Sequence, residues 1–406
     1  MSASVRHHPT TPPGLQCAPT PRLSDLPTYV FAWLDELKAA ARARGADLID
    51  LGMGNPDQPT PAPIVEAITS AYRNPAHHGY PPFRGTSRFR EAVAKYMRSR
   101  FGVAVDPETE VLCLSGAKEG IAHLTMAFTD EATVTIVPDI YYPVHGRATG
   151  LAGGRVHFVT LSASTGFIPD LSTIPRSVLR SAKLLVLNYP HNPTGAIAPL
   201  GLYEQAVALC RANGITLLSD LAYAELAYDG ARAPSALEVP GAKDVTVEFH
   251  SFSKSFNMAG SRVGFAVGGK HLIDALYTVR TNMGYGTPAA IQEGAAYALD
   301  HSRELIEPNR ARYETRRNAL IDGFRSLGWN AAPPKGSMFV WLPVPLGYTS
   351  QEWTEHLIDK AGVVVSPGNA FGPGGEGFFR VSLIADENVL GGAIERLRAA
   401  GVRYAG

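Results

Sequence analysis

Between residues 110 and 270, short runs rich in Val, Ile and Leu alternate with longer stretches whose apolar positions recur every three or four residues. The short runs are Glu110–Leu114, Thr133–Val137, Val156–Leu161, Lys183–Asn188, Ile215–Ser219, Val245–His250 and Arg262–Val267. Several are nearly continuous apolar sequence, as strands buried on both faces of a parallel sheet require. The alternation predicts an α/β domain with a mostly parallel sheet flanked by helices. Ahead of it, Val30, Trp33, Leu34 and Leu37 mark one face of a helix between Arg22 and Gly45. Leu51 to Pro59 is a loop by its Gly, Asn and Pro content. After about residue 290 the pattern changes to a long polar helix (Gln292–Leu327), strands near Met338–Leu342 and Phe378–Leu383, and a closing helix (Glu387–Ala400). That predicts a smaller α+β domain. The expected organisation is a flexible tail (1–21), an arm joining the small domain (22–57), a large domain (58–289) and a small C-terminal domain (290–406).

Composition narrows the function classes. A chain of 406 residues, 45% hydrophobic and 18% charged, has the make-up of a globular protein with a large core in two domains. Lys+Arg and Asp+Glu balance at 37 each, so no field draws nucleic acid or an anionic membrane. Cys17, Cys113 and Cys210 are odd in number and far apart, which suits neither a disulfide framework nor a zinc pair and fits a reducing cytoplasm. No apolar run approaches the roughly 20 residues that span a bilayer. Met1–Thr20 is proline-rich, carries His7-His8 and lacks an apolar stretch, so it reads as a tail rather than a secretory signal.

The chemistry collects at strand exits, where open α/β sheets bind their ligands. Five exits deliver Ser115-Gly116-Ala117-Lys118, Asp139–Pro143 with Tyr142, Asn188–Gly195 with Asn192, Asp220–Tyr223, and Ser251-Phe252-Ser253-Lys254. The first places small residues before a helix, where exposed backbone N–H groups attract phosphate; a plain capped turn explains it equally well. Asp220 at a strand end is ordinarily a cap, but it also suits a protonated ring nitrogen, with Tyr223 reaching a phenolic oxygen on the same ring. Lys254 among hydroxyls and aromatics can form a Schiff base if its amine is kept deprotonated. Ser251, Ser253 and Arg262 suit a phosphate monoester. His77-His78 and Gly372–Gly377 are expected to be loop sequence, neither metal site nor phosphate loop, and Arg84 and Arg147 to be structural or surface arginines.

From about Leu26 to the C-terminus the chain resembles the class I/II aminotransferases of pyridoxal-5′-phosphate (PLP) fold type I. The resemblance rests on Tyr189–Gly195, Asp220–Tyr223, the Ser-x-Ser-Lys segment with Arg262, and Phe379–Leu383. Leu51–Pro59, His78–Pro81 with Arg84-Gly85, and Asp220–Gly230 look most like the alanine and LL-diaminopimelate subgroup. The resemblance implies that Lys254 holds PLP as a Schiff base and shuttles a proton. It places Asp220 on the pyridine nitrogen, Asn192 and Tyr223 on the ring oxygen, and Tyr142 on the ring face. Ser115, Gly116, Ala117, Lys118, Ser251, Ser253 and Arg262 would hold the phosphate, and Arg380 would grip the substrate α-carboxylate with Asn192 and Gly54 close by. Tyr80 would reach the partner subunit's phosphate, which implies a homodimer. No metal is implied.

The implied reaction is ping-pong transfer from an L-amino acid, alanine or LL-diaminopimelate, to 2-oxoglutarate or pyruvate. A carbon–sulfur lyase or other eliminating enzyme is the alternative on the same fold. A PLP-binding regulator is remote, because no basic DNA-binding domain precedes the first helix. Ser261 stands where many relatives have Trp, and Gly284 where the alanine type often has Asp. These departures leave the cofactor assignment intact and bear on the substrate.

Overall fold

The computed structural model describes residues 20–404 apart from 25, 27 and 28. Cys17, His7-His8 and nearly all of the expected tail lie outside the described residues. Among the described residues twelve strands follow one another: β1 (Ile49–Asp50), β2 (Val111–Leu114), β3 (Val134–Pro138), β4 (Arg155–Val159), β5 (Ala182–Asn188), β6 (Thr216–Asp220), β7 (Thr246–Ser251), β8 (Gly264–Gly268), β9 (Phe339–Pro343), β10 (Val363–Val364), β11 (Ser366–Pro367) and β12 (Phe378–Ser382). The seven apolar runs of the sequence are thus β2 to β8, shifted by a residue or two.

They form one sheet in the order β2-β8-β7-β6-β5-β3-β4. Only β8 runs against its neighbours; the other pairings are parallel. β2, β3 and β6 are buried at every position and β5 at every position but Lys183, as their apolar runs predict, whereas β4 at the edge is largely accessible. Alternate side chains feed two cores: Leu185, Leu187 and Leu217 point to one face, Val186, Leu218 and Val247 to the other. That is the period of two of a pleated strand. Two layers of helix cover the faces, so the class is α/β.

The smaller sheet is antiparallel, β11-β12-β9, with its own core around Phe324, Trp329, Phe339 and Phe379. β1 pairs with β10 in parallel and ties the N-terminal arm to this region, while Phe31 and Leu34 of the arm helix (Val30–Ala43) pack with Val364 and Phe371.

One expected helix is two. Gln292–Leu327 divides at His301 into Ala289–Asp300 and Ser302–Ser326. The first piece packs into the large core through Ala295, Ala296 and Leu299. The second runs between cores, Ile306 belonging to one and Tyr313 to the other. Apolar periodicity continues through both pieces, so it could not reveal the break.

Candidate active site

The carboxyl ends of β5, β6 and β7 and the loop after β3 converge on a cavity of about 430 Å³, within the size range of small-molecule sites. Lys254 sits on its floor, in a single helical turn (Phe252–Ser255) directly after β7. Its Nζ donates to the Gly54 carbonyl at 2.5 Å. Burial, with Arg380 and Arg262 nearby, pulls the amine down to about 8. An amine at that level is partly unprotonated near neutrality and so can serve as nucleophile and base.

Asp220 closes β6 and is 5% exposed. Its Oδ2 lies 3.0 Å from His145 Nε2, and its Oδ1 accepts the Ala222 N–H at 3.2 Å. Asn188 steadies both neighbouring exits: its Nδ2 donates to the Asp220 carbonyl (2.8 Å) and its Oδ1 accepts from the Asn192 N–H (3.1 Å). Tyr142 and Tyr223 also line the cavity, and burial raises both phenols well above their ordinary range.

The opposite wall carries Arg380, on β12 between Trp341 and Ser366. It is 2% exposed and has no carboxylate partner among the described residues. Its guanidinium lies 3.9 Å over the Phe339 ring and 4.6 Å over Phe371. Such stacking contributes about 0.5–2 kcal/mol each, less than the several kcal/mol that removing a cation from water costs. Its Nε also lacks a partner, and burial lowers the group to about 10. A guanidinium in this setting suits a carboxylate ligand.

A second anion cradle lies at the start of the helix Ala117–Phe128, whose cap Gly116 has φ 89°. A Cβ there would come 2.5 Å from Arg262 Nη2. Arg262 precedes β8 and is held at φ 49°, a strained value for a side-chain-bearing residue. Because β8 is antiparallel, its amino end reaches the same edge as the carboxyl ends of its neighbours. Ser251 and Ser253 line the cavity beside it. Helix N–H groups, two hydroxyls and a guanidinium fit a phosphate; a buried carboxylate fits a protonated pyridine nitrogen; Lys254 fits an aldehyde. The donor set therefore fits PLP.

Gly54, Ala117, Lys118 and Asn192 also line the cavity, whereas Ser115 faces an adjoining cleft of about 550 Å³ and Tyr80 faces neither. Tyr80 is 79% exposed and stacks on Tyr285 with centroids 4.0 Å apart. Arg84 pairs with Asp274, and Arg147 lies 5.1 Å from the Tyr29 ring centroid. His77 and His78 bond to the carbonyls of Ala71 and Tyr72. Gly372–Gly377, expected to be a flexible loop, is instead docked: Gly374 N–H bonds to the Asp139 carbonyl at 3.0 Å.

Sequence reasoning missed Tyr29, Phe31, His145 and Phe339, and placed Asn188 at a strand exit without a role of its own. His145 carried a signal, lying three residues past Tyr142 on the same exit. The aromatics carried none, being ordinary core residues by pattern.

The model of the family "Aminotransferase class I and II" matches residues 46–397. LL-diaminopimelate aminotransferase 2 of Nostoc sp. is 46% identical over 387 residues, covering 95% of this chain and 99% of its own. The LL-diaminopimelate aminotransferase of Moorella thermoacetica is 44% identical, covering 93% and 97%. Substrate-bound BacF from Bacillus subtilis superposes with a TM-score of 0.92 at 34% identity, covering 97% and 100%. A Thermus thermophilus aspartate aminotransferase mutant gives 0.88 at 30%, covering 94% and 99%. The chain belongs to the class I and II aminotransferases and is a PLP-dependent transaminase of fold type I.

Proposed function

We propose that the amino donor is LL-diaminopimelate and the acceptor 2-oxoglutarate, and that the residues described above divide the work as follows. Arg380 receives the α-carboxylate of donor and acceptor in turn, its planar fork matching two oxygens at once. Bound PLP supplies an aldehyde that condenses with amines and a ring that withdraws electrons from Cα. Asp220, oriented by His145, would oppose the charge of the ring nitrogen and so keep it protonated. Lys254 Nζ would accept the proton from substrate Cα and later return it. Arg262, Ser251, Ser253 and the N–H groups after Gly116 would hold the phosphate, Tyr142 would meet the ring, and Asn192 and Tyr223 would hydrogen-bond its oxygen.

The observation that carries the reading is a buried Arg380 without a carboxylate partner among the described residues, facing the same cavity as the Lys254 amine. The relatives named for LL-diaminopimelate support the donor. Screening alanine, glutamate, methionine and LL-diaminopimelate as donors against 2-oxoglutarate and pyruvate tests it. LL-diaminopimelate should give the highest kcat/KM, and ammonia release without an acceptor would point to the eliminating alternative.

The molecule works as a cytoplasmic homodimer in this reading, with Tyr80 contributing to the partner's phosphate site. Exposed Tyr80, Phe83, Met283 and Tyr285 form the apolar surface that such contact would cover. Sedimentation should give twice the 43.4 kDa chain mass. The boundary between the domains, expected at 289/290, lies in this reading within the Ser302–Ser326 helix, because Ala295, Ala296 and Leu299 pack into the large core, and the arm packs with the small domain.

A further inference from the structure

The last carbonyls of a helix have no partner within it, and a one-turn helix is nearly all ends. Lys254 stands in such a turn. The Phe252 carbonyl accepts from the N–H groups of Phe256 and Met258, at 3.2 and 3.3 Å. The carbonyls of Lys254 and Ser255 are taken by one distant side chain instead: Asn309 Nδ2 donates to them at 2.9 and 3.2 Å. Asn309 is 4% exposed, and its Oδ1 accepts from Asn257 Nδ2 at 3.4 Å. Asn257 is in the left-handed region at φ 52°, and its carbonyl accepts from Thr60 Oγ1 at 2.8 Å. None of Thr60, Asn257 and Asn309 lines the cavity.

Seven residues along the same helix, and so on the same face, Arg316 is buried and grips Asp57 through two bonds of 2.7 and 2.8 Å. Asp57 belongs to the loop whose Gly54 carbonyl accepts from Lys254 Nζ. One helix face therefore holds the lysine at both ends, its main chain through Asn309 and the partner of its amine through Arg316 and Asp57. This helix also spans the two cores.

We propose that Asn309 and Arg316 are positioning residues that fix where the Lys254 amine stands, so that movement of this helix shifts the amine within the site. The proposal rests on Lys254 being the cofactor lysine. The groups facing that amine across the cavity are the cations Arg380 and Arg262, the Asp220 carboxylate and the phenols of Tyr142 and Tyr223. Displaced toward water, the amine returns toward the ordinary lysine value of about 10.4.

The test uses full-length, cofactor-free protein labelled with trinitrobenzenesulfonate across a pH series, with labelling at Lys254 followed by peptide mass spectrometry. The wild type should label with a midpoint near 8. Asn309→Ala should raise the midpoint by about one pH unit. In the PLP-loaded enzyme it should lower kcat by on the order of tenfold while the donor KM holds. Asp57→Asn, which removes the charge that Arg316 grips, should shift the midpoint the same way. It decides the matter alone if Asn309→Ala does not accumulate as folded protein. Unshifted midpoints overturn the proposal while leaving the Lys254 assignment standing. Cofactor captured on another residue of the wild type overturns that assignment and the proposal with it.

Discussion

His145 Nε2 stands 3.0 Å from Asp220 Oδ2, and both side chains are buried. A buried carboxylate costs several kcal/mol unless something opposes its charge, so this pair is stable while the imidazole donates and a cation faces the other side. Asp220→Ala should keep PLP on Lys254 yet lower kcat by roughly 100-fold or more, the scale of losing a preorganised charge. His145→Ala removes one orienting bond of about 1 kcal/mol, hence about fivefold. Steady-state kinetics on PLP-saturated variants measures both.

Arg380 gives its Nη1 to Asn192 Oδ1 at 3.0 Å and its Nη2 to the Gly52 carbonyl at 2.7 Å. Both acceptors are neutral, and a carboxylate competes well for the guanidinium. Arg380→Lys retains a charge but not the fork. It should cut kcat/KM for every α-amino acid by roughly 10- to 100-fold, one charge-assisted bond of about 1.5–3 kcal/mol. PLP retention should stay unchanged, as gel filtration and cofactor absorbance would report.

The Lys254 amine, held at about 8, is charged below that pH and cannot attack an aldehyde. Capture of PLP by cofactor-free enzyme should therefore accelerate by about tenfold per pH unit from pH 6 toward 8 and level off above it. Arg380, held at about 10, stays cationic throughout that range. Stopped-flow absorbance at graded pH follows the capture. A rate flat from pH 6 to 8 would contradict the geometry.

Gly116→Ala places a methyl 2.5 Å from Arg262 Nη2 at a backbone φ of 89°. Moving Arg262 weakens the phosphate grip, so PLP should dissociate faster by roughly tenfold for a strain of about 1–3 kcal/mol. Turnover at saturating cofactor should be nearly normal. Dialysis half-lives discriminate this from general unfolding.

Lys254, Asp220 and Asn192 were legible because each follows an apolar run, and an apolar run followed by polar punctuation marks a strand exit. Arg262 was legible as chemistry, but its place was not: nothing in Arg262–Val267 says that β8 runs backwards, which alone brings it to the site. Asn309 was invisible, since a polar residue on a polar helix looks solvated. Only the fold puts it 55 residues along the chain against the Lys254 carbonyl. Phe339 and Phe371 were indistinguishable from core aromatics until Arg380 stood over them. Tyr80 lies outside this chain's own cavity, and nothing in the order of apolar and polar positions separates it from the strand-exit residues that do line it.

The most direct measurement is to incubate the purified protein with PLP, reduce it with borohydride and map the modified peptide by mass spectrometry. A single stable adduct on Lys254, absent from Lys254→Ala, is the expected result. An unmodified Lys254, or an adduct that persists in the Lys254→Ala protein, would contradict the account.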